Sequence, residues 1–186
     1  SPPKGYEDKG YDSWLKETGA FYRVEVAIHK DEALLTIDTS GSGLHKRGYR
    51  VGQGEAPLKE TLAAALVQIT NWTPDQPFVD PFCGSGTIAI EAALIGQNIA
   101  PGFNREFASE NWSFIPQKVW DDAFQEAEDS ANYDQPLQIF GSDIDPDLIE
   151  IAKKNAMEAG LGELITWKQM QMSDFKPKQE NGYLVS

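Results

Sequence analysis

Short apolar segments alternate with helical patterns over the last two thirds of the chain, and this alternation constrains the fold more than any other feature. Three segments resemble buried strands, with helical patterns after the first two: strands at residues 78–80, 137–141 and 164–167, helices at residues 87–95 and 146–159. Parallel strands need crossover connections, which helices supply. The sequence therefore predicts an α/β fold with a parallel sheet and helices on its faces. Residues 183–186 fit part of a fourth strand.

The first third of the chain follows a different pattern. Residues 21–29 alternate between apolar and polar side chains, and residues 33–37 form a second apolar run after a Lys-Asp turn. This period of two predicts a β-hairpin. The sequence S-G-S-G follows at residues 40–43 and favours a domain boundary, which divides the chain into residues 1–43 and 44–186.

Two further helical patterns complete the expected architecture. One begins at Pro57, which suits a first helical turn, and ends near residue 71. The other covers residues 117–131, inside an irregular insertion at about residues 97–136. We expect Arg105, Phe107 and Trp112 to anchor this insertion over the sheet.

Composition limits the classes of protein. No apolar run among the 186 residues approaches the roughly 18 that a membrane span needs. The single cysteine, Cys83, cannot form an internal disulfide, so a reducing compartment, the cytoplasm, is expected. The net charge of −13 disfavours binding of this chain alone to the phosphate backbone of a nucleic acid. Lys46, Arg47 and Arg50 form a local basic cluster, for which contact with RNA, contact with the edge of a cofactor and a solvated linker are all open interpretations.

The sequence D-P-F-C-G-S-G-T at residues 80–87 joins the first strand of the sheet to its helix. Ligands of open parallel sheets bind beyond the carboxyl ends of the strands. Gly84 and Gly86 allow a tight turn and a close approach of the backbone, and the first N–H groups of the helix suit an anionic group. Asp80 could accept a hydrogen bond from a ligand ammonium. A plain tight turn is the alternative.

The next two strands also end in acidic residues. Asp143 is placed to accept both hydroxyls of a ribose, with Ile144 against a base, whereas Asp145 suits the N-cap of the following helix. Asp174 could accept from an exocyclic amino group while Phe175 packs on the ring. Together these positions indicate an adenosine-type ligand.

Other sites are less consistent with the sequence. Residues 84–89 fit the dinucleotide pattern G-x-G-x-x-A. That pattern expects its ribose-binding acid about 20 residues later, whereas Asp143 follows Gly86 by 57 residues, and so large an insertion is atypical. A nucleophilic role for Cys83 lacks a paired histidine, and a small buried residue in a turn explains it better. Metal-ligand spacings are absent from the sequence.

The chain resembles the bacterial THUMP-domain methyltransferases that modify the N2 amine of a guanine in large-subunit ribosomal RNA, whose members are often labelled N6-adenine-specific DNA methylases. The likeness is carried by D-P-F-C-G-S-G-T-I-A-I-E-A, G-S-D-I-D-P and L-H-K-R-G-Y-R followed by P-L-K-E-T-L-A-A-A-L. It implies a Rossmann-like methyltransferase sheet that binds S-adenosylmethionine, preceded by the hairpin of a THUMP-like RNA-binding domain. The implied cofactor-binding residues are Asp80, Pro81, Phe82, Cys83, Gly84, Gly86, Asp143, Ile144, Asp174 and Phe175.

Members of this family also carry N-P-P-Y or N-P-P-F after the fourth strand, where the target amine is held. The present sequence contains no N-P-P. We therefore expect a fragment truncated at both ends, with no catalytic residue of its own and no methyl transfer in isolation. The expected partner is 23S ribosomal RNA. An N6-adenine DNA methyltransferase and a non-catalytic RNA-binding module, with Lys46, Arg47 and Arg50 on the RNA, are the alternatives.

Overall fold

A computed structural model describes residues 19–52, 54, 57–176 and 181–186. The strands are β1 (Arg23–His29), β2 (Glu32–Asp38), β3 (Phe78–Asp80), β4 (Ile139–Asp143), β5 (Ile165–Gln169) and β6 (Tyr183–Leu184). The α-helices are α1 (Glu60–Ile69), α2 (Thr87–Gly96), α3 (Gln117–Ser130) and α4 (Pro146–Glu158). Short 3-10 helices cover Ala108–Asn111 and Met172–Asp174.

Strands β3 to β6 form one parallel sheet in the order β5-β4-β3-β6. The predicted alternation of strands and helices is thereby confirmed, including the strand at residues 183–184. Strand β3 lies in the middle of the sheet because its apolar residues are covered on both faces: Phe78 is fully buried, and α2 is buried along almost its whole surface. A helix that is apolar all round needs such an interior position.

The core lies between this sheet and helices α1, α2 and α4. Its largest fully buried apolar side chains are Tyr49, Phe78, Ile90, Ile139 and Leu161. Tyr49 precedes the sheet in sequence, so the segment before α1 is part of the core rather than a free linker. Helix α1 begins at Glu60 with Lys59 at the N-cap, so Pro57 precedes the helix instead of standing in its first turn.

Strands β1 and β2 form the expected antiparallel hairpin, a separate two-stranded sheet. Its apolar side chains are largely exposed. We expected Arg105, Phe107 and Trp112 to anchor the insertion over the sheet, but their contacts lie elsewhere. Arg105 binds backbone carbonyls at residues 40–46, Trp112 binds the Phe21 carbonyl, and the Phe107 ring stacks on that of Trp120 in α3 at 5.5 Å. The backbone carbonyls at residues 40–46 need hydrogen-bond donors, whereas the backbone groups of the strands already bond to one another. Of the helices described, none is long and apolar enough to cross a membrane.

Candidate functional site

The glycine-rich turn after β3 is folded back onto the end of β4. The Cys83 N–H donates to the carbonyl of Ser142 at 2.8 Å, and the Gly86 N–H donates to the carbonyl of Cys83 at 2.7 Å. Gly84 and Gly86 have φ of +51° and +86°, in the left-handed region that favours glycine. Around Gly84 a Cβ atom would meet nothing within 4 Å, so this part of the turn is open to a ligand.

Asp80, at the end of β3, has a buried carboxyl group in which one of the two oxygens accepts a hydrogen bond from the described residues and the other does not. It is 1% exposed; its Oδ1 accepts from the Phe82 N–H at 3.3 Å, and its Oδ2 is buried without a partner among the described residues. Burial raises the pKa of Asp80 from 3.8 to about 7; the Phe82 N–H lowers it and the Asp143 carboxylate raises it further. The unpartnered oxygen is therefore an acceptor that a cationic donor would satisfy.

Asp143, the last residue of β4, connects two neighbouring strand ends. Its Oδ2 accepts from the Gly84 N–H at 3.0 Å and its Oδ1 from the Asp145 N–H at 3.0 Å. Each carboxylate oxygen has a second lone pair, so the group can still accept from a ligand. Asp145 is the N-cap of α4, as predicted, because its carboxylate accepts from the Asp147 N–H at 2.8 Å.

A cavity of about 370 Å³ opens beside the glycine-rich turn. Asp80 lies on one side of it, and the segment before α1 forms another side with Gly54, Pro57 and Leu58. The remaining lining residues are Phe82, Cys83, Gly84, Ser85, Thr87, Ile88, Leu148 and Ser186. The volume falls in the range of small-molecule sites.

Two polar residues attach this segment to the glycine-rich turn: Asn155, which the sequence analysis missed, and Arg50, which it had placed in the basic cluster. Asn155 of α4 is 1% exposed; it accepts from the Val51 and Gly52 N–H groups and donates to the carbonyls of Gly52 and Ser85. A polar residue within the buried face of α4, beside Ala152 and Ala156, was the available signal.

Arg50 is the second of these residues. Its guanidinium donates to Glu60 Oε1 and the Leu58 carbonyl, both at 2.8 Å. It also donates to Ser85 Oγ at 3.3 Å and to Thr87 Oγ1 at 3.1 Å, at the start of α2. Arg50 therefore joins two sides of the cavity.

The other residues predicted at the turn differ in how far they are buried. Phe82 is 64% exposed at the rim, while Pro81 is fully buried below the turn. Cys83 is buried, and burial raises the pKa of its thiol, which disfavours a nucleophilic thiolate. Gly86 faces inward: a Cβ there would lie 2.7 Å from Trp167 Cη2.

The predicted base contacts lie at the ends of β4 and β5. The Ile144 side chain is exposed, and its carbonyl accepts from Gln169 Nε2 at 3.2 Å. Asp174 is exposed at the end of a 3-10 helix, and the ring of Phe175 lies 5.4 Å from that of Phe140 on β4. The structure thus brings Asp80, Gly84 and Asp143 into direct proximity, whereas the Asp174 and Phe175 contacts remain predictions.

The basic cluster is divided between the interior and the surface. Lys46 is exposed, whereas Arg47 lies 3.5 Å from the buried Glu91, which also accepts from Tyr49 Oη at 3.0 Å. A second cavity of about 360 Å³ lies near these residues and the ends of α2 and α4. Arg47 lines that cavity but already has a carboxylate partner, so we place the candidate site at Asp80.

We expect Asp80→Asn to stabilise the protein above neutral pH. Folding raises the pKa of Asp80, so as pH rises this carboxyl ionises in the unfolded chain before it ionises in the folded one. The free energy of unfolding of the wild type therefore falls between about pH 4 and about pH 7, by on the order of 4 kcal/mol in total. The asparagine does not titrate. Urea unfolding at pH 5, 6, 7 and 8 measures this, and the stability difference between variant and wild type should widen with pH. A difference that stays constant would contradict a buried neutral carboxyl.

Comparison with known proteins places these features in context. Residues 47–186 match the family described as the RMKL-like methyltransferase domain, UPF0020. A Bacillus subtilis protein, YpsC, that carries the name of an RNA methyltransferase is 67% identical over 94% of this chain and 45% of its own length. The ribosomal RNA large subunit methyltransferase K/L of Shewanella frigidimarina is 42% identical over 89% of this chain and 24% of its own.

A solved structure is also similar. SMU.472, described as a methyltransferase in complex with SAH, superposes with a TM-score of 0.85 at 50% identity, over 90% of this chain and 44% of that one. The chain therefore spans less than half the length of the relatives it matches.

Proposed function

The chain belongs to the RMKL-like methyltransferase domain family, and from that premise we propose that it binds S-adenosylmethionine for methyl transfer to RNA. The observation that carries this proposal is the unpartnered Oδ2 of Asp80, buried at the cavity beside the glycine-rich turn. A carboxylate there suits the ammonium of the methionine part of the cofactor. The SAH complex of the relative SMU.472 supports the same cofactor class.

The site residues fit the rest of this cofactor. Asp143, at the end of β4, would accept from the ribose hydroxyls while it keeps the Gly84 N–H in place. Asp174 and Phe175 would hold the adenine, with Ile144 in apolar contact. When bound, the cofactor supplies a methyl group on a sulfonium ion. The residues of this chain bind and orient that group, and Arg50 and Asn155 keep the side wall of the cavity against the turn.

We propose guanine N2 of large-subunit ribosomal RNA as the target of the full-length protein. The names of the Bacillus and Shewanella relatives support an RNA substrate, and the latter supports the ribosomal large subunit. The hairpin would belong to a THUMP-like domain that ends near residue 43, and the protein would act in the cytoplasm. Exposed Lys46 is the best-placed cation of the basic cluster for RNA, because Arg47 and Arg50 pair with Glu91 and Glu60.

Calorimetry with S-adenosylhomocysteine tests the cofactor site. An ammonium next to Asp80 favours its ionised form, so we expect binding to release up to one proton per ligand between pH 6 and 7, and little near pH 8. Titrations in two buffers of different ionisation enthalpy measure this release. Asp80→Asn should bind more weakly and without the pH-dependent release. Absence of binding by wild-type protein would contradict the proposal.

Product analysis then tests the substrate of the full-length protein. Transfer to ribosomal RNA that yields N2-methylguanosine supports the proposed target, whereas N6-methyladenine in DNA would replace it with the DNA alternative. Salt-sensitive RNA binding without any affinity for S-adenosylhomocysteine would indicate a binding module instead.

A further inference from the structure

The insertion between α2 and β4 holds the segment that connects the hairpin to the sheet. Arg105 of the insertion is 9% exposed. Its guanidinium donates to the carbonyls of Ser40, Ser42, Gly43 and Lys46 at 3.1, 2.6, 3.0 and 3.4 Å. One planar side chain thus binds four carbonyl groups of the connecting backbone, and these acceptors do not depend on the side chains that the segment carries.

A second group of contacts holds the ends of the hairpin itself. Ser109 donates to the Thr39 carbonyl through both its N–H, at 3.1 Å, and its Oγ, at 3.0 Å. Trp112 Nε1 donates to the Phe21 carbonyl at 3.0 Å, and the Trp112 ring lies 5.0 Å from the ring of Tyr22. The insertion therefore contacts the chain immediately before β1 and immediately after β2.

These contacts are separate from the cofactor cavity. The described residues that line the cofactor cavity do not include Arg105, Ser109 or Trp112. The hairpin in turn exposes most of its own surface. Without the insertion, the hairpin would be joined to the sheet through a connection rich in glycine and serine, a composition that permits many orientations.

We propose that Arg105 is a positioning residue that fixes the hairpin relative to the cofactor site, with Trp112 in support. The inference rests on the proposed RNA methyltransferase function: RNA held on the hairpin side must present one base to the methyl group at a set distance. Misplacement of reacting groups by about 1 Å can cost 100-fold in rate. Arg105 thereby acts on the use of the RNA substrate and leaves cofactor affinity unchanged.

Distance measurements on the full-length protein test this directly. Spin labels at Thr36→Cys on β2 and Lys154→Cys on α4, both at exposed positions, report the separation of hairpin and sheet. Buried Cys83 stays unlabelled, and any cysteine outside residues 1–186 is first changed to serine. We expect one narrow distance in the parent protein and a broad distribution in Arg105→Ala. Arg105→Lys should fall between them, because an ammonium lacks the planar fork. Trp112→Phe keeps an aromatic ring and loses the indole N–H, and it provides a second test if Arg105→Ala fails to fold.

The same variants are assayed for cofactor and RNA. We expect S-adenosylhomocysteine affinity within twofold of the parent and at least a tenfold loss in kcat/KM for RNA. Lys118→Ala, which removes an exposed ion pair of α3, is the control and should change neither. An unchanged narrow distance in Arg105→Ala and Trp112→Phe would overturn the proposal, as would equal losses of cofactor affinity and RNA turnover. Failure of the parent to bind S-adenosylhomocysteine would instead count against the proposed function, and the distances would still be interpretable.

Discussion

Asp143→Asn is expected to weaken the binding of S-adenosylhomocysteine by about 100-fold, which corresponds to the loss of one or two hydrogen bonds to a charged acceptor. The amide can no longer accept at both ends, and its NH2 group would face either the Gly84 N–H or the Asp145 N–H. In the proposed cofactor site the variant would therefore lose contacts to the ribose, and it would also loosen the glycine-rich turn. Calorimetry at pH 7.5 measures the affinity.

Asp147→Asn is the matched control for this change. It removes the same charge four residues further along, from an exposed side chain in the first turn of α4. Its affinity should stay within about twofold of wild type, since exposed charges that lack a contact contribute little. If both variants lose affinity equally, the effect is one of net charge, and Asp143 has no direct role.

Gly86→Ala is expected to lower the free energy of unfolding by about 3 kcal/mol or more, through left-handed backbone strain and overpacking. At this position φ is +86°, and a Cβ would lie 2.7 Å from Trp167 Cη2 and 2.9 Å from Ala152 Cβ. Urea unfolding of the purified variant measures the loss.

Gly84→Ala, two residues earlier in the same turn, separates the two causes. Its φ is also positive, at +51°, but nothing lies within 4 Å of the added Cβ, so we expect a loss of only about 1 kcal/mol. Trp167→Leu combined with Gly86→Ala should cost less than the sum of the two single changes, because the smaller side chain relieves the crowding. Strict additivity would mean that Trp167 does not limit the turn.

The different roles of these two glycines show where sequence reasoning stops. The pattern G-x-G identified the turn, and both residues were predicted to line the cofactor site. In the structure Gly84 is open, while Gly86 and Gly141 leave room for the Trp167 ring. Spacing along one strand and turn gives no information on which distant side chain packs against it.

The basic cluster also shows that the sequence does not reveal distant partners, in this case partners of opposite charge. Lys46, Arg47 and Arg50 are neighbours in sequence, and RNA contact was one interpretation of all three together. Their carboxylate partners, Glu91 and Glu60, come from α2 and α1, and this pairing takes two of the three cations out of the exposed surface. Glu91 stands out in sequence as the charged residue of an otherwise apolar helix, but its partner is 44 positions away.

The sequence by itself determined the order of strands and helices, the glycine-rich turn and the acidic ends of β3 and β4, because these depend on local periodicity and on the common direction of parallel strands. Only the tertiary structure decided that Asp80 keeps an unpartnered oxygen, that Asn155 and Arg50 hold the wall of the cavity, and that Arg105, Ser109 and Trp112 of the insertion bind the ends of the hairpin and its connecting segment. Those outcomes depend on which side chains meet over long sequence separations, and burial and hydrogen-bond partners exist only after the chain has packed.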